Sequence, residues 1–447
     1  MSPESLFPDL PDLEPTQTPA AAPGTRLSQA RVYKPVRTQV EMMLRDLDSL
    51  LPEDHLARAI WKLVESLDLS AFYAPIKAVE GEPGHPATDP AVLVALWLYA
   101  TADGVGKARH LDRLCQEHDA YRWLRGGVPI NYHMLSDFRV EHRQALDGLM
   151  AEVLAAMMSE GLVTIGRVSQ DGIRVRASAG AASFRREQRL KEFLAQAQEQ
   201  VKRLTGDLEA ELDQAEVPAN RPSRREQGAR ERAARERQER IERALADLSG
   251  VQAAKKTKEK REQARVSTTD PQARVMKMPD GGFRPAFNVQ LATDTASQVI
   301  VGSSVTNRGT DADEAPPMLE RVTERSGTTP DDYLMDGGTV TLETVDKLDQ
   351  AGVTVYAPTR APRGTKREQA EPRSTDSPAV AMWRARMATE EAKAIYRERA
   401  ATSECVNARF RQHGLYQFVV RGLGKVTCVV LWMVITHNLL RWIALTS

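Results

Sequence analysis

The sequence predicts an α/β fold in which a mixed-sheet domain follows an all-helical region and is interrupted by a charged helical hairpin. Alternating apolar and polar residues in 163–178 and 286–305 are typical of half-buried antiparallel strands. Between them, residues 181–265 are almost entirely charged residues, Ala and Gln, as in a solvated helical pair. Two apolar segments, 333–335 and 353–357, flank a helical pattern, which is typical of a βαβ unit with parallel strands.

The composition limits the classes of protein that fit the chain. Its 447 residues suggest roughly two to four domains. Lys and Arg number 61 and Asp and Glu also number 61, so a nucleic-acid surface requires local segregation of charge. The three cysteines are far apart, which argues against a zinc site or a disulfide framework and is typical of a reducing cytosol. No signal peptide is recognisable, and the most apolar segment, 428–435, is shorter than a membrane span of ~20 residues. We therefore expect a cytoplasmic protein without a membrane span.

The first 160 residues are expected to form a tail and a helical region. Residues 1–34 are rich in Pro, Ala and Thr without a period, which predicts disorder. Residues 35–160 contain short helical patterns separated by turns, a layout that suits a helix-turn-helix DNA reader. Its recognition helix would be 134–145, with Arg139 and Arg143 exposed on one face. A helical packing domain with an ordinary charged face fits the pattern equally well.

Residues 181–265 predict an inserted hairpin of two antiparallel helices. Residues 181–216 contain 6 basic and 8 acidic residues, whereas 221–265 contain 15 and 8, and opposite net charges favour pairing of the two arms. The excess of basic residues in 221–265 could contact DNA phosphates, although a solvated hairpin without a ligand is the simpler interpretation. The apolar residues step by three and four, as in a coiled-coil seam: Leu190, Leu194, Ala197, Val201, Leu204 and Leu208, then Ala234, Ile241, Leu245 and Leu248.

Asp171 is an unusual residue in its predicted strand, because an unpaired buried carboxylate is costly. It is either a turn residue before Gly172 or an acid held on the sheet to bind a metal. Three antiparallel strands followed by a helix, a parallel strand, a helix and a strand describe a sheet of ribonuclease-H type. In such a sheet Asp171 and Asp336 lie side by side, at the first and fourth strands. The catalytic domain would then consist of 161–180 and 266–447.

A third acid from a C-terminal helix would complete a pocket for two divalent cations beside Asp171 and Asp336. Carboxylate oxygens are hard ligands that suit Mg²⁺, which also takes phosphate oxygens. Two such ions about 3.5–4 Å apart can activate an attacking oxygen and stabilise the leaving one. Without metal the clustered carboxylates would repel one another, so the trio is reasonable only if cations belong to the site.

A series of motifs extends from residue 85 to residue 442. It comprises HPATDPAVLVALWLYATADGVGKARHLDRLC at 85–115, LSDFR at 135–139, SQDGIRVRAS at 169–178, DPQARVMK at 270–277, FNVQLATD at 287–294, YLMDGG at 333–338, YRERAATSE at 396–404, RGLGKV at 421–426 and HNLLRW at 437–442. In this order and spacing the motifs resemble the DDE transposases of bacterial insertion sequences. The resemblance is closest to the eleven-eighty-two branch, related to the insertion-sequence four and five transposases, and covers roughly residues 35–445.

The resemblance implies that Asp171, Asp336 and Glu404 are the catalytic and metal-binding triad. They would serve an enzyme that cleaves DNA at the ends of its own element and joins the strands to a target, with two Mg²⁺ or Mn²⁺ ions. Tyr396 and Arg399 match the Tyr-x2-Arg part of the signature before the glutamate. The expected partners are double-stranded DNA and further copies of the chain, as a homodimer or a larger synaptic oligomer in the bacterial cytoplasm. The expected DNA contacts are Arg139, Arg143, Tyr396, Arg399, Arg409, Arg411 and Lys425.

The chain departs from the family pattern at two places. Thr339 stands where an aromatic residue usually follows the second acid, and no Lys stands at the expected distance after Glu404. Asp311 and Asp313 precede a predicted helix and are expected to cap it or to lie in its first turn. Three nearby glutamates remain alternatives to Glu404 as the third acid: Glu390, Glu391 and Glu398.

Two other functions share some of these features. A repair or junction nuclease of ribonuclease-H type would use the same carboxylates but would not need the helical region 35–160. A non-catalytic DNA-binding protein derived from a transposase would keep the fold, although all three acids are present here. A strand-joining assay distinguishes the nuclease from the transposase. Inverted repeats flanking the gene would favour the transposase.

Overall fold

A computed structural model of the protein describes residues 44–78, 86–212, 224–359 and 371–446, and in 207–212 and 224–225 the backbone only. The predicted disordered tail, 1–34, lies outside these residues. The described elements belong to one unit, Asp46–Ser447. The helices are α1 (Leu56–Ser66), α2 (Ser70–Tyr73), α3 (Pro90–Ala102), α4 (Ala108–Glu117), α5 (Asp119–Arg125), α6 (Tyr132–Glu141), α7 (Arg143–Ser159), α8 (Glu187–Leu212), α9 (Arg224–Ala253), α10 (Lys258–Glu262), α11 (Ala315–Ser326), α12 (Leu342–Gln350), α13 (Pro378–Ala388), α14 (Glu390–Gln412) and α15 (Leu423–Thr446). The strands are β1 (Arg167–Arg176), β2 (Phe184–Arg185), β3 (Val266–Ser267), β4 (Arg274–Lys277), β5 (Phe283–Asp294), β6 (Ile300–Thr306), β7 (Asp332–Leu334) and β8 (Thr354–Tyr356).

The main sheet is mixed, with the path β6–β5–β1–β7–β8. Strand β5 is antiparallel to both β1 and β6, while β7 is parallel to β1 and to β8. The short β4 extends the sheet by pairing with the first residues of β5. Both predictions about strand pairing, the antiparallel meander and the parallel βαβ unit, are therefore confirmed.

Helix α15 joins the helical region to the sheet. It packs against α3, α6 and α7 and also against β6. One continuous hydrophobic core results, extending from Leu51 to Trp442. Among the described helices, α15 alone is long and apolar enough to cross a membrane, and 72% of its apolar window is buried. The prediction of a buried apolar helix is confirmed, because its side chains fill this core.

The predicted recognition helix 134–145 is wrong, because the chain bends at His142. This residue has φ −99° and ψ 43°, so α6 ends before it and α7 begins after it. The predicted exposure of Arg139 is also wrong: the residue is 7% exposed, and its guanidinium lies 4.6 Å from the Trp97 ring centroid. Arg143 is exposed, but it belongs to the next helix and does not share a helical face with Arg139.

The inserted hairpin consists of α8 and α9, which run antiparallel as predicted. Gln252 at the end of α9 donates to Glu187 at the start of α8, and Arg237 donates to Gln200 farther along. The strands β2 and β3 pair at the base of the hairpin. The seam is a hydrophobic cluster separate from the main core, formed by Leu190, Ala197, Ile241, Ala244, Leu248, Ala264 and Val266.

Candidate active site

Asp171 and Asp336 lie near each other where β7 ends beside the middle of β1. In the parallel pair of β1 and β7, Ser169 is opposite Leu334, and each acid follows two residues later. Both acids line one small pocket of about 30 Å³. The other residues around it are Gln170, Gly172, Gln290, Asp311, Met335 and Thr339. The sequence-based prediction that the two acids are neighbours is confirmed.

Asp171 is held by two side chains of α14. Arg399 donates to its Oδ1 at 2.9 Å, and Asn407 donates to its Oδ2 at 2.9 Å. Between them on the same helical face, the Ser403 hydroxyl lies 3.0 Å from that of Ser169 on β1. Burial raises the pKa of Asp171, an effect that Arg399 and Asn407 oppose and nearby Asp311 reinforces. The sequence analysis missed Asn407. Its position eight residues after Arg399, on the same face of the helix, could have indicated that both side chains meet the same partner.

Asp336 projects from a tight turn after β7 and is exposed. The turn is closed by Thr339, whose amide and hydroxyl both donate to the Asp336 carbonyl, at 2.9 and 2.8 Å. Gly337 is required here, because a Cβ at this position would lie 2.7 Å from the Pro358 carbonyl oxygen. Among the described residues, none makes a hydrogen bond to the Asp336 carboxylate, which leaves it available to a ligand.

Asp311 is a third carboxylate in this pocket, and its predicted role as a helix cap is wrong. Its Oδ1 accepts hydrogen bonds from Asn288 and Gln290, which lie on the buried polar face of β5. Gly172 allows this approach, because a Cβ there would lie 2.4 Å from Asp311 Oδ1. The sequence signal was the alternation in β5, which put two polar side chains on a face that the fold then buried.

A chain of hydrogen bonds leads from Asp311 into the sheet. Gln290 donates to Asp311, Gln170 donates to Gln290 at 2.8 Å, and the Tyr333 hydroxyl donates to Gln170 at 2.7 Å. These side chains come from β5, β1 and β7, so the chain crosses three neighbouring strands. Asp311 is therefore fixed relative to both strands that carry the other two acids.

Glu404 is an exposed residue of α14 and does not line the pocket of Asp171 and Asp336. It follows Ser403 by one residue, about 100° around the helix from the face that contacts β1. Across the described part of the chain, no side chain forms an ion pair or hydrogen bond with Glu404. By contrast, Glu398 pairs with Arg167 at 2.8 Å and Glu390 pairs with Lys393 at 2.9 Å.

Apart from the buried Arg139, the predicted DNA-contact residues fall into two groups. Arg143, Arg411 and Lys425 are exposed and Arg409 is half-buried. Tyr396 and Arg399 instead lie beside the two acids: Arg399 donates to Asp171, and burial raises the pKa of Tyr396, with Asp336 and Asp171 adding to the increase while Arg399 opposes it. Both residues are therefore close to the acids as well as to the helix surface.

Comparison with protein families gives two matches in separate parts of the chain. Residues 45–141 match the family described as Transposase domain (DUF772). Residues 359–443 match the family described as Transposase DDE domain, and this segment contains Tyr396, Arg399 and Glu404. Comparison with curated proteins and with solved structures gives no match. The two family matches together indicate a DDE transposase.

Proposed function

We propose that this transposase binds the terminal inverted repeats of its own insertion sequence and catalyses metal-dependent DNA cleavage and strand transfer. We place it in the eleven-eighty-two branch, on the motifs that occur in order from residue 85 to residue 442. Its working form is a homodimer or larger synaptic oligomer, since two element ends must be joined to one target. Its location is the bacterial cytoplasm, where its DNA lies.

The observation that carries this proposal is the shared pocket of Asp171 and Asp336. The two acids are 165 residues apart in sequence and meet where β7 ends beside the middle of the parallel strand β1. In the strand order β6–β5–β1–β7–β8, β5 runs opposite to the other four strands, which is the arrangement expected for a ribonuclease-H-like sheet. We therefore assign the catalytic centre to the pocket between β1 and the end of β7.

The donor chemistry of the pocket fits a hard divalent cation. Asp171, Asp311 and Asp336 offer carboxylate oxygens, the ligand type that Mg²⁺ and Mn²⁺ prefer. Among the described residues, no three His, Cys, Asp or Glu side chains already converge on one point. Binding of a cation would therefore require the exposed side chains of Asp336 and Glu404 to rotate toward the pocket. When bound, such ions would activate the attacking oxygen and stabilise the leaving oxygen.

The remaining residues would orient the DNA and set the charge of the site. Arg399 neutralises Asp171, so the pocket is stable without a cation, and its guanidinium is close enough to meet a scissile phosphate. Tyr396 lies near both acids and is suited to hydrogen-bond a phosphate oxygen. Glu404 is proposed as the third acid because it follows Tyr396 and Arg399 in the motif. The rivals Glu390 and Glu398 are paired with basic residues, and Glu391 lies more than three turns earlier on α14.

Purified protein incubated with Mg²⁺ and a duplex that carries the inverted repeats flanking its gene should cleave at the repeat boundary and join the 3′ ends to a second duplex. Asp336→Asn and Glu404→Gln should each abolish cleavage while retaining binding to the duplex. The matched controls are Asp331→Asn and Glu324→Gln, which remove exposed charges outside the pocket at positions that are not candidates for the third acid. Cleavage without joining would favour the junction nuclease, and binding without cleavage in Mg²⁺ or Mn²⁺ would favour the non-catalytic DNA-binding protein.

A further inference from the structure

A cleft of about 280 Å³ lies between the helical region and the segment that follows α14. Its lining includes Gly106, Lys107 and His110 at the start of α4, Arg139 of α6, and His413 after α14. None of the described lining residues is acidic. Glycine and apolar residues form most of the rest of the lining, so Lys107 and Arg139 are its formal cations, and the cleft is open at the exposed Lys107 and His110.

Arg139 is a buried cation without a carboxylate partner. Its side chain packs on the Trp97 ring, and its Nη1 donates to the Gly106 carbonyl. Its Nε is buried and has no hydrogen-bond partner. Burial lowers the pKa of Arg139 to about 10, so the side chain remains charged at neutral pH. In the described structure no acid forms an ion pair with it, although an uncompensated buried charge is costly. An anion in the cleft would remove this cost.

The N-terminus of α4 supplies a second attraction for an anion. The helix has 10 residues, and its N-cap Lys107 makes no side-chain capping bond. The first amides of a helix lack intrahelical partners and carry a partial positive charge. Helix N-termini with such free amides commonly bind phosphate. A Cβ at Gly106 would lie 3.9 Å from Arg139 Nη2, so the guanidinium is beside the chain that enters this helix.

We infer that this cleft binds a phosphate group of duplex DNA, held by Arg139, Lys107 and the N-terminus of α4. The inference rests on the proposed function for the source of the phosphate. The cleft opens onto exposed Lys107, and exposed Val419 lines the same cleft and is suited to contact a deoxyribose. A phosphate within a polymer could therefore enter from the surface. The buried Arg139, which cannot lie in a major groove, would still contact the DNA backbone through this opening.

The test compares two single-charge variants of the full-length protein. Lys107→Gln removes a cation from the cleft, whereas Arg113→Gln removes an exposed cation on the same helix that pairs with Glu117 at 3.5 Å. Affinity for a fluorescent duplex is measured by anisotropy between low and moderate KCl concentrations. Lys107→Gln should weaken binding about five- to tenfold and lower the slope of log affinity against log salt by about 1. Arg113→Gln should change affinity less than about twofold. Equal effects of the two variants would overturn the inference.

A second measurement separates the DNA backbone from free phosphate. Thermal unfolding is followed in sodium phosphate and in sodium chloride of equal ionic strength. Phosphate should raise the melting temperature of the wild type more than that of Lys107→Gln, because binding to the folded state stabilises it. Phosphate stabilisation without any difference in DNA affinity would make the cleft a free-phosphate site and overturn the DNA assignment. A wild type that binds no duplex would contradict the proposed function, while the phosphate measurement would still decide whether the cleft binds anions.

Discussion

Replacing Gly172 by Ala is predicted to destabilise the protein through the pocket rather than through the backbone. The backbone of Gly172 is not in the left-handed region, so Ala can adopt it. The added Cβ, however, would lie 2.4 Å from both Asp311 Oδ1 and Gln290 Nε2. Neither atom can move without cost, because each is held in a chain of hydrogen bonds that extends to Tyr333.

The expected loss can be worked out from these contacts. Overpacking a tightly packed position costs about 1–3 kcal/mol, and a hydrogen bond to a charged acceptor contributes about 1.5–3 kcal/mol. If the methyl group displaces Asp311 from one donor, the total comes to about 2.5–6 kcal/mol. Gly180→Ala is the matched control: Gly180 has φ −86° and nothing within 4 Å of the position that an added methyl group would take, so the change should stay within about 0.5 kcal/mol.

This reasoning is tested by urea unfolding of Gly172→Ala and Gly180→Ala. Unfolding of Asp311→Ala and of the Gly172→Ala/Asp311→Ala double variant completes a double-mutant cycle. Removing the Asp311 carboxylate removes the atom that the new methyl group would strike, so the two changes should be less than additive by about 1–2 kcal/mol. Strictly additive effects, or a loss for Gly172→Ala no larger than for Gly180→Ala, would refute the close approach of Asp311 to β1.

Three further changes have definite expected results. Replacing residues 187–262 with a Gly/Ser linker should remove helical circular dichroism but leave cooperative unfolding of the sheet, because the hairpin has its own hydrophobic cluster; loss of cooperative unfolding would contradict this. Arg384→Met should lower the free energy of unfolding in urea by about 3 kcal/mol, because it removes the cation 2.7 Å from Asp376 and leaves that carboxylate with the Arg373 amide as a donor; the exposed Arg397→Met should have little effect. Burial lowers the pKa of His437 from 6.5 to about 4, so the folded state binds its proton less tightly than the unfolded state. Stability linked to His437 is therefore complete above pH 6.5 and decreases by roughly 3 kcal/mol as the pH falls to 4; a wild type and a His437→Gln variant that lose equal stability over this range would contradict the assignment.

Much of the fold could be predicted because its elements have local signals. The alternation in β1, β5 and β6 predicted an antiparallel meander, and the steps of three and four in the hairpin predicted its seam. The positions of Asp171 and Asp336 could be predicted because Asp171 lies within β1, Asp336 follows β7, and the parallel pairing of these strands fixes which of their residues are neighbours. In each case the prediction depends only on residues that are neighbours in the chain or on one pair of strands.

The failures occurred where burial depends on elements that are distant in sequence. Arg139 is four residues before Arg143, which suggested a shared exposed helical face. In the structure its guanidinium instead packs on the Trp97 ring and donates to the Gly106 carbonyl. Asp311 has the position of a cap residue, but Asn288 and Gln290 of β5 draw its carboxylate into the pocket. No local pattern distinguishes a charged side chain that faces solvent from one that a distant element covers.

The sequence by itself therefore determined the strand order, the inserted hairpin and the pairing of Asp171 with Asp336, because periodicity and connection rules limit how such segments can pack. Only the tertiary structure decided that Arg399 and Asn407 hold Asp171, that Asp311 joins the same pocket, and that Arg139 is buried in a basic cleft. Those contacts join residues 21 or more positions apart, and their energies depend on desolvation, which the chain specifies only once it is folded.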